Sequence, residues 1–255
     1  MSGSAIYPDH EGRSVLITGG GSGIGAQIVR RFCEQRSKVA FLDIDAGCGE
    51  GLVATLRAEG LGAPLFLHCD LRDIAALQAA VARAGEVNGP ITALVNNAAR
   101  DDRHPFATVT PEYWDERFAV NLKHQFFAAQ AVHPMMKAAG GGSVINMGST
   151  SWMVGQGGMA AYTAAKSAVL GLTRSLARDW GPDNIRVNSI APGWIMTERQ
   201  KTMWLTPEGE KELMTRQCLK RQLVPDDIAR VVLFMTSEAS SAMTNQSYIV
   251  DGGWV

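Results

Sequence analysis

Short apolar runs rich in β-branched residues alternate with longer helical patterns along almost the whole chain of 255 residues. Each run is too short for a helix and is mostly apolar on both faces, which is typical of a parallel strand covered by helices on both sides. The sequence predicts seven such strands: Ser14–Thr18, Val39–Asp43, Leu65–Cys69, Ala93–Asn96, Ser143–Met147, Ile185–Ile190 and Tyr248–Val250.

Strong helix formers fill the segments between these strands, and Pro111 stands where the first turn of a helix accepts proline. The predicted helices are Ile24–Gln35, Gly47–Glu59, Ile74–Glu86, Pro111–Ala138, Met159–Trp180 and Asp226–Ser237. Because strands that alternate with helices are joined by right-handed crossovers, we predict an α/β fold with a doubly wound parallel sheet and helices on both faces. The sequence has no internal repeat and no Pro/Ser-rich linker, so we expect residues 1–255 to form one domain.

The segment Trp194–Val224 interrupts this alternation. It is polar, contains Met203, Trp204 and Pro207, and has no clear strand pattern. Long excursions of this kind are often covers over a binding site. We therefore predict a substrate lid at about 194–224.

The composition argues against several functional classes. Lys and Arg together number 24 and Asp and Glu number 25, so the chain lacks the electrostatic signature of a protein that binds nucleic acid or an anionic membrane. The uncharged run Ala138–Ala165 is rich in Gly, Ser and Thr and cannot span a membrane. The four cysteines lack metal-site spacing, and the N-terminus has no apolar stretch typical of a secretory signal. We expect a cytoplasmic protein with free thiols and no metal, nucleic-acid or membrane partner.

A glycine-rich turn, Gly19-Gly-Gly-Ser22-Gly23-Ile24-Gly25, joins the first predicted strand to the first predicted helix. Gly19 permits the tight turn, Gly23 lets the backbone approach a pyrophosphate, and Gly25 lets the helix pack closely against the strand. The helix N-terminus then presents free N–H groups to the phosphates. The flanking strand and helix favour this interpretation over a merely flexible turn. We assign five residues of this turn to the binding of a dinucleotide: Gly19, Ser22, Gly23, Ile24 and Gly25.

Asp43 ends the second predicted strand, 18 residues after Gly25. A carboxylate at this place accepts hydrogen bonds from the adenosine ribose hydroxyls and repels a 2′-phosphate, which favours NAD over NADP. The alternative is that Asp43 only ends the strand or caps the next helix, and Asp45 could share either role.

Tyr162 and Lys166 are four residues apart in a predicted helix, which places both side chains on one face, one turn apart. Ser149 follows the fifth predicted strand, 13 residues before Tyr162. A phenol with a pKa of about 10 is a poor base at neutral pH, but a nearby ammonium favours the phenolate. The Tyr–Lys spacing alone is also compatible with a solvated helix face. Together with Ser149 and the glycine-rich turn, it predicts a catalytic group in which Lys166 lowers the pKa of Tyr162.

These motifs resemble those of the short-chain dehydrogenase/reductase family, from about Gly12 to the C-terminus. The matching residues are Thr18–Gly25, Asp70-Leu71, Asn96–Ala99, Asn121, Ser149, Tyr162, Lys166 and Pro192-Gly193. The resemblance implies a Rossmann-type domain and a nicotinamide cofactor. It also implies a homotetramer in which the helices Pro111–Ala138 and Met159–Trp180 pack across two-fold axes.

The resemblance also implies roles for single residues. The implied cofactor residues are Asp70 and Leu71 beside the adenine, Asn97 and Ala98 on the ribose side, Pro192, Gly193, Ile195 and Thr197 at the nicotinamide carboxamide, and Tyr162 and Lys166. Asn121 resembles the family asparagine that holds a water leading to Lys166, although an asparagine within a helix can also bond its own backbone. Two departures are Ala99, where the family has glycine, and Gly148, where a second serine is common.

Polar residues follow the fourth, fifth and sixth predicted strands. The charged loop Arg100–His104 suits a ligand with many hydroxyls and suits an acyl chain or a steroid poorly, because buried charges need polar partners. Aromatic faces with polar tips are a usual lining for carbohydrate. The candidate substrate residues are Asp101, Asp102, His104, Ser149, Ser151, Trp152, Gln156, Tyr162 and Trp194. The alternative for Asp101–His104 is a solvated loop.

Further segments resemble bacterial sugar 1-dehydrogenases of this family, which oxidise pentoses or 6-deoxyhexoses to lactones. These segments are Asp101–His104, Tyr113–Arg117, Thr206–Glu210 and Gln217–Lys220. We therefore expect NAD-dependent oxidation of the C1 hydroxyl of an aldose, with Tyr162 as general base, Ser149 orienting the hydroxyl and Asn121 in the proton relay. The alternatives are a dehydrogenase of a sugar acid or keto-deoxy sugar acid, a 3-oxoacyl thioester reductase, and a non-catalytic cofactor-binding interaction protein.

Overall fold

Residues 5–255 are described by the structure, a computed structural model. The strands are β1 (Ser14–Thr18), β2 (Lys38–Asp43), β3 (Leu65–His68), β4 (Ala93–Asn96), β5 (Gly142–Met147), β6 (Ile185–Pro192) and β7 (Ser247–Val250). They form one sheet in the order β3-β2-β1-β4-β5-β6-β7, and neighbouring strands run parallel. The predicted α/β fold with a seven-stranded parallel sheet, a single Rossmann-like domain, is confirmed.

Helices connect the strands. They are α1 (Gly23–Glu34), α2 (Ala46–Ala58), α3 (Ile74–Asn88), α4 (Pro111–Phe118), α5 (His124–Ala138), α6 (Ala160–Trp180), α7 (Glu198–Met203), α8 (Pro207–Arg216) and α9 (Pro225–Thr236). A π-helical segment, Ala119–Lys123, joins α4 to α5, and short 3₁₀ turns lie at Pro8–His10, Phe106–Thr108, Gly181–Asp183 and Glu238–Ser240.

The sheet separates two apolar cores. Val15 and Ile17 of β1 face a cluster formed with α1 and α9, whereas Leu16 between them faces a cluster formed with α3, α5 and α6. This alternation follows from the strand period of two, which sends successive side chains to opposite faces. Because both faces are covered, the strand is apolar at every position except its ends, as its sequence predicts.

The strand order changes direction between β1 and β4, which are neighbours in the sheet. The chain builds outward from β1 to β2 and β3 on one side, and from β4 to β7 on the other. At such a switch point the loops beyond the carboxyl ends of the two strands part and leave a crevice, where ligands bind in open α/β sheets. The glycine-rich turn after β1 and the loop after β4 line this crevice.

The predicted continuous helix Pro111–Ala138 is wrong in its middle, because the π-helical segment interrupts it. Asn121 lies in this segment, and its side-chain amide donates to the carbonyls of Arg117 at 2.9 Å and of Arg100 at 3.1 Å. The backbone N–H of Arg100 donates to the Asn121 side chain at 2.9 Å. The widened turn thus occurs where a buried amide bonds both to the helix backbone and to a distant loop, and such turns are frequent at functional sites.

The predicted lid segment is more ordered than its sequence suggests. It contains α7 and α8, and its two ends meet where Met196 N–H donates to the Leu223 carbonyl at 2.8 Å beside the bridge of Ile195 with Leu223. The segment is therefore a closed excursion from the sheet that returns to its starting point.

Within residues 5–255, no helix is long and apolar enough to cross a membrane. In the same range, no group of three or more His, Cys, Asp or Glu side chains could hold a metal ion.

Two glycine-to-alanine substitutions separate a required glycine from a tolerant one. A Cβ at Gly25 would lie 1.9 Å from the Gly19 carbonyl oxygen, so Gly25→Ala should force α1 away from β1 and lower the free energy of unfolding by about 2 kcal/mol or more. Gly51 lies within α2, and a Cβ there meets nothing within 4 Å. Gly51→Ala should therefore raise that free energy by about 0.5–1 kcal/mol. Chemical denaturation measures both values, and equal effects at the two positions would contradict the packing argument.

Candidate active site

The glycine-rich turn is held from both sides. Gly19 N–H donates to the Leu42 carbonyl at 2.7 Å, which ties the turn to β2. From the loop after β4, the Asn97 side chain donates to the carbonyls of Thr18 at 3.1 Å and Gly19 at 2.9 Å. Gly19 has a φ of +65°, and a Cβ there would lie 2.7 Å from the Cα of Ala98. Asn97 and Ala98 thus shape the turn itself as well as the crevice beside it.

Asp43 lies at the carboxyl end of β2, directly against this turn. Its carboxylate accepts hydrogen bonds from Gly21 N–H at 2.8 Å and from Asp45 N–H at 3.0 Å. Asp45 caps α2, since its side chain accepts from Cys48 N–H at 2.9 Å. Of the two roles that the sequence allows for these residues, Asp45 therefore has that of the helix cap. Asp43 instead lies at the crevice, against the glycine-rich turn.

The first turn of α1 fits a phosphate. Ser22 occupies the N-cap position, but within the described residues its side chain makes no capping hydrogen bond to the helix. The N–H groups of the first turn therefore remain for an anion, and the helix dipole favours negative charge at that end. Gly23 has a φ of +55°, which keeps the turn in a conformation that side chains other than glycine rarely adopt.

The residues expected beside the adenine have protein partners of their own. The Asp70 carboxylate forms an ion pair with Arg72 at 2.6 Å, and Arg72 also reaches Glu116 at 3.2 Å. This pairing holds the pKa of Asp70 below its usual range. Leu71 packs against the apolar core on the α3 side of the sheet.

A cavity of about 530 Å³ opens at the carboxyl ends of the strands. Of the residues predicted from the sequence, its lining includes Ile24, Asn97, Asp101, Ser149, Ser151, Gln156, Tyr162, Lys166, Pro192, Gly193, Trp194, Ile195 and Thr197. The fold thus brings Ser149, Tyr162 and Lys166 into one space with the residues expected at the nicotinamide and part of the expected substrate residues, whereas the catalytic candidate Asn121 lies outside this lining. Three of the predicted substrate residues, Trp152, Asp102 and His104, lie outside this lining.

Tyr162 and Lys166 lie on one face of α6, one turn apart, as predicted. The Lys166 Nζ is 5.9 Å from the centre of the Tyr162 ring and donates to the Met147 carbonyl at the end of β5 at 2.7 Å. Ser149 follows β5, and its hydroxyl accepts from Ser151 N–H at 3.1 Å. The Ser149 hydroxyl lies beside the Tyr162 side chain in the cavity lining, where it lowers the pKa of that phenol. The three side chains therefore meet at the carboxyl end of β5.

Burial controls the ionisation of this group. Burial raises the pKa of Tyr162 to about 12, against a smaller lowering by its hydrogen bond with Ser149. Burial also lowers the pKa of Lys166 to about 7, which the negative charge of Asp101 only partly opposes. The expected lowering of the Tyr162 pKa by Lys166 is therefore not found, because the cost of removing the phenolate from water is larger. A further positive charge near the phenol is needed before it can act as a base.

Asn121 is fully buried between α4, α5 and the loop after β4. Its side chain is bonded to the backbone of Arg100 and Arg117, so the interpretation that it bonds backbone groups is correct for the side chain. The backbone carbonyl of Asn121 accepts from the Gln125 side-chain amide at 3.1 Å, and the same amide donates to the Met147 carbonyl at 3.4 Å. Asn121 is thus linked through Gln125 to the carbonyl that Lys166 binds.

The charged loop after β4 is divided between the cavity and the protein interior. Asp101 lines the cavity, and Arg199 of α7 reaches it at 3.4 Å and Asp102 at 2.6 Å. Asp102 also pairs with Arg117 at 2.7 Å. His104 is 7% exposed and faces α4 and α6. The alternative of a solvated loop is wrong for His104, and so is its expected place against the substrate.

Sequence reasoning missed several residues of the cavity wall. They are Gln200, Trp204, Glu212, Arg216 and Trp254. Most belong to the segment 194–224, whose polarity and tryptophans indicated a cover but not which side chains face inward. Trp254 lies at the C-terminus, where Cys218 N–H and Leu219 N–H donate to the carbonyls of Gly253 and Gly252 and so bring the tail to the cavity.

Comparisons with known proteins agree with this geometry. A family model described as enoyl-(acyl carrier protein) reductase matches residues 19–255. The chain belongs to the short-chain dehydrogenase/reductase family. It is 49% identical to the probable galactose dehydrogenase of Rhizobium meliloti (strain 1021) over 250 residues, which cover 98% of each chain. It is 47% identical to the D-xylose 1-dehydrogenase of Caulobacter vibrioides (strain NA1000 / CB15N) over 251 residues, which cover 98% of this chain and 99% of that protein.

A solved structure of a blue fluorescent protein from a metagenomic library, in complex with NADPH, is also similar. It is 33% identical, has a TM-score of 0.88, and the match covers 96% of this chain and 98% of that chain. The relatives make this short-chain dehydrogenase an enzyme, and its Rossmann-like fold implies a nicotinamide cofactor.

The lowered pKa of Lys166 predicts a pH dependence of stability. In the unfolded chain the lysine pKa is about 10.4, whereas in the folded chain it is about 7. Between about pH 7 and pH 10 the unfolded state therefore binds one more proton at Lys166 than the folded state does. The penalty for burying the ammonium is fully present below pH 7 and is relieved as the pH rises. The free energy of unfolding of the wild type, minus that of Lys166→Met, should therefore rise from pH 7 to pH 10 in chemical denaturation without added cofactor. A difference independent of pH would contradict the buried, deprotonated amine.

Proposed function

We propose that this enzyme oxidises the C1 hydroxyl of an aldose, a pentose or 6-deoxyhexose, to the lactone with NAD⁺ as hydride acceptor. The observation that carries the proposal is the convergence of Ser149, Tyr162 and Lys166 in a cavity whose outer wall is polar and aromatic. Two relatives that match nearly the whole chain are named as sugar dehydrogenases, which supports an aldose substrate.

The residues that would hold the cofactor follow the crevice from β2 to β6. The first turn of α1, with Gly19, Ser22, Gly23, Ile24 and Gly25, would bind the pyrophosphate. Further contacts would come from Asp43 at the adenosine ribose, Asp70 and Leu71 at the adenine, Asn97 and Ala98 at the ribose side, and Pro192, Gly193, Ile195 and Thr197 at the carboxamide. When bound, NAD⁺ supplies the hydride acceptor and a positive ring charge.

The proton step belongs to the chain's own residues. Ser149 donates a hydrogen bond to the C1 hydroxyl oxygen and holds it against the Tyr162 oxygen. Tyr162, as phenolate, takes the hydroxyl proton while C1 gives up its hydride and the C1–O bond becomes the lactone carbonyl. Lys166 binds the nicotinamide ribose and, when protonated, favours the phenolate. Asn121, linked to the Lys166 region through Gln125 and Met147, would help hold a water through which the proton moves towards solvent.

The NAD preference rests on the place of Asp43. Its carboxylate bonds Gly21 N–H of the glycine-rich turn, so its negative charge is held at the end of β2, where we expect the adenosine ribose or the 2′-phosphate of NADP to bind. The two charges would repel at short distance, whereas the ribose hydroxyls of NAD can donate to the carboxylate.

The outer wall of the cavity suits a sugar. Trp194, Trp204 and Trp254 offer aromatic faces, and Trp194 Nε1 donates to the Gln200 side chain at 2.9 Å. The Gln200 amide in turn donates to the Asp101 carboxylate at 2.7 Å. Because these polar groups already hold one another in place, sugar hydroxyls meet preorganised partners. Ser151 and Gln156 complete the polar side of the proposed sugar site.

A sugar acid is the second candidate, and Arg103 favours it. The Arg103 guanidinium lines the cavity and stacks on Trp204, with its carbon 5.1 Å from the ring centre. A guanidinium held there can bind the carboxylate of an aldonate. Substrate profiling therefore has to include both classes.

Two features accompany the proposal. We infer that the segment 194–224 acts as the lid, since the ion pairs of Arg199 with Asp101 and Asp102 close it against the loop after β4. We also infer a homotetramer, for which the half-exposed rings of Trp114 on α4 and Phe126 on α5 are suitable contacts.

A panel of aldoses and aldonates with NAD⁺, read at the NADH absorbance, tests the function. D-Xylose, L-arabinose, D-galactose and L-fucose are the aldoses, and D-xylonate and D-gluconate are the acids. Aldoses should give the larger kcat/KM. Tyr162→Phe should abolish turnover, a loss of at least about 10³-fold, with the affinity for NAD⁺ retained. The matched control is Tyr248→Phe on β7, which should keep wild-type turnover. Activity of Tyr162→Phe near that of the control would remove Tyr162 from the mechanism.

Asp43→Ala should weaken NAD⁺ binding and relax the discrimination against NADP⁺, because the repelling carboxylate is gone. The ratio of kcat/KM with NAD⁺ to kcat/KM with NADP⁺ should fall by about 10-fold or more. Asp45→Ala is the control: it removes the cap of α2 and should lower thermal stability without changing the ratio. An unchanged ratio in Asp43→Ala would count against the ribose contact.

A further inference from the structure

The helix that carries Tyr162 begins without a cap of its own. Met159 occupies the N-cap position of α6, and in residues 5–255 its side chain makes no capping hydrogen bond. A good N-cap side chain accepts from the second or third N–H of the helix, which in α6 belong to Ala161 and Tyr162. Both residues are buried or half-buried, so an unbonded N–H there is costly.

His104, from the loop after β4, supplies the missing acceptor. Its Nε2 lies 3.4 Å from Ala161 N, within the geometry of a hydrogen bond in which the backbone N–H donates. The backbone N–H of His104 donates to the Gly158 carbonyl at 2.7 Å, which fixes the loop against the residues that lead into α6. The imidazole therefore occupies the position of an N-cap side chain although it lies 57 residues away in sequence.

The contacts at the two ring nitrogens assign the tautomer of the neutral ring. Because Nε2 accepts, a neutral His104 carries its proton on Nδ1, which lies 3.0 Å from the Tyr113 hydroxyl and 3.2 Å from the Asp102 carbonyl. The imidazole is thus a donor on the α4 side and an acceptor on the α6 side.

A network of charges holds this ring in place. The Tyr113 and His104 rings meet edge to face, with centres 5.0 Å apart. The Arg117 guanidinium lies over the Tyr113 ring, 5.0 Å from its centre, and pairs with Asp102 at 2.7 Å. The orientation of His104 is therefore set by several partners at once.

We propose that His104 is a positioning residue, whose neutral imidazole caps α6 and fixes the place of the Tyr162 hydroxyl. It touches neither the sugar nor the cofactor. Capping at Ala161 acts on the residue directly before Tyr162, so the ring position of Tyr162 depends on it. Small displacements of a catalytic group lower the rate strongly, whereas binding of the substrate elsewhere in the cavity is little affected.

The kinetic arm of the test rests on the proposed function. His104→Ala should lower kcat for the preferred aldose by about 10- to 100-fold, and the KM for sugar and for NAD⁺ should change by less than about 3-fold. His104→Gln can place an acceptor near the position of Nε2, so it should recover most of the loss. Tyr113→Phe keeps the ring but removes the hydroxyl partner of Nδ1, and a fall of a few-fold in kcat is expected.

The exchange arm is independent of any substrate. Hydrogen–deuterium exchange, followed by mass spectrometry on a peptide spanning 159–166, should be about fivefold faster in His104→Ala and near wild type in His104→Gln. His133→Ala is the matched control, because His133 bonds Asp183 at 3.0 Å and packs on Trp180 at the opposite end of α6. It should leave the exchange of this peptide unchanged.

Two results would overturn the proposal. A raised KM for sugar with unchanged kcat and unchanged exchange would make His104 a substrate contact. Equal exchange in His104→Ala and the wild type would show that it caps nothing. If the wild type oxidises no aldose, the proposed function fails, and the exchange rates alone then decide whether His104 caps α6.

Discussion

The bond between the Lys166 Nζ and the Met147 carbonyl joins the chemistry to the sheet. It is 2.7 Å long and connects the middle of one turn of α6 to the last residue of β5. Ser149 lies two residues beyond that carbonyl, so the same strand end fixes both the hydroxyl and the amine. Because parallel strands end at one edge, the cofactor residues after β1, β2, β4 and β6 arrive at the same place. The site is thus a property of the sheet edge, with α6 attached to it by a buried amine.

Burial shifts the pKa values of both the Lys166 amine and the Tyr162 phenol. Burial lowers the pKa of Lys166 to about 7 and raises that of Tyr162 to about 12, so near neutral pH the phenol is protonated and the amine is only partly charged. In the proposed mechanism, the phenol would act as a base only when positive charge is added beside it. This arrangement would couple proton transfer to occupation of the nicotinamide position, so that the phenol does not ionise before a hydride acceptor is present.

Much of the fold is readable from the sequence because its period-two and helical patterns are strong. The predicted strands differ from the observed ones by one or two residues at most, since an apolar pattern does not mark the last hydrogen bond of a strand. Asn121 illustrates the limit. Its local sequence is helical, and the π turn depends on bonds to Arg100, 21 residues away. Tertiary contacts of this kind leave no local signal.

The candidate site, like the fold, is only partly predictable from the sequence. Ser149, Tyr162, Lys166 and Asp43 could be predicted as candidates because each has a residue type and a spacing that its proposed chemistry requires. His104 was misplaced because its polarity suggested the cavity, whereas its partners Tyr113 and Ala161 come from α4 and α6. The inward-facing residues of the segment 194–224 depend on how α7 and α8 pack, which composition does not specify. The ionisation of Tyr162 depends on burial and is equally hidden.

The closed excursion from 194 to 224 separates two tasks within one chain. Its ends meet at Ile195 and Leu223, and between them it contributes Gln200, Trp204 and Arg216 to the outer wall of the cavity. The groups assigned to proton transfer come from β5 and α6 instead. A loop with fixed ends can exchange its contents without moving the framework that holds it. Selectivity in this enzyme can therefore diversify by replacement of one insert, while the machinery for hydride and proton transfer is inherited unchanged.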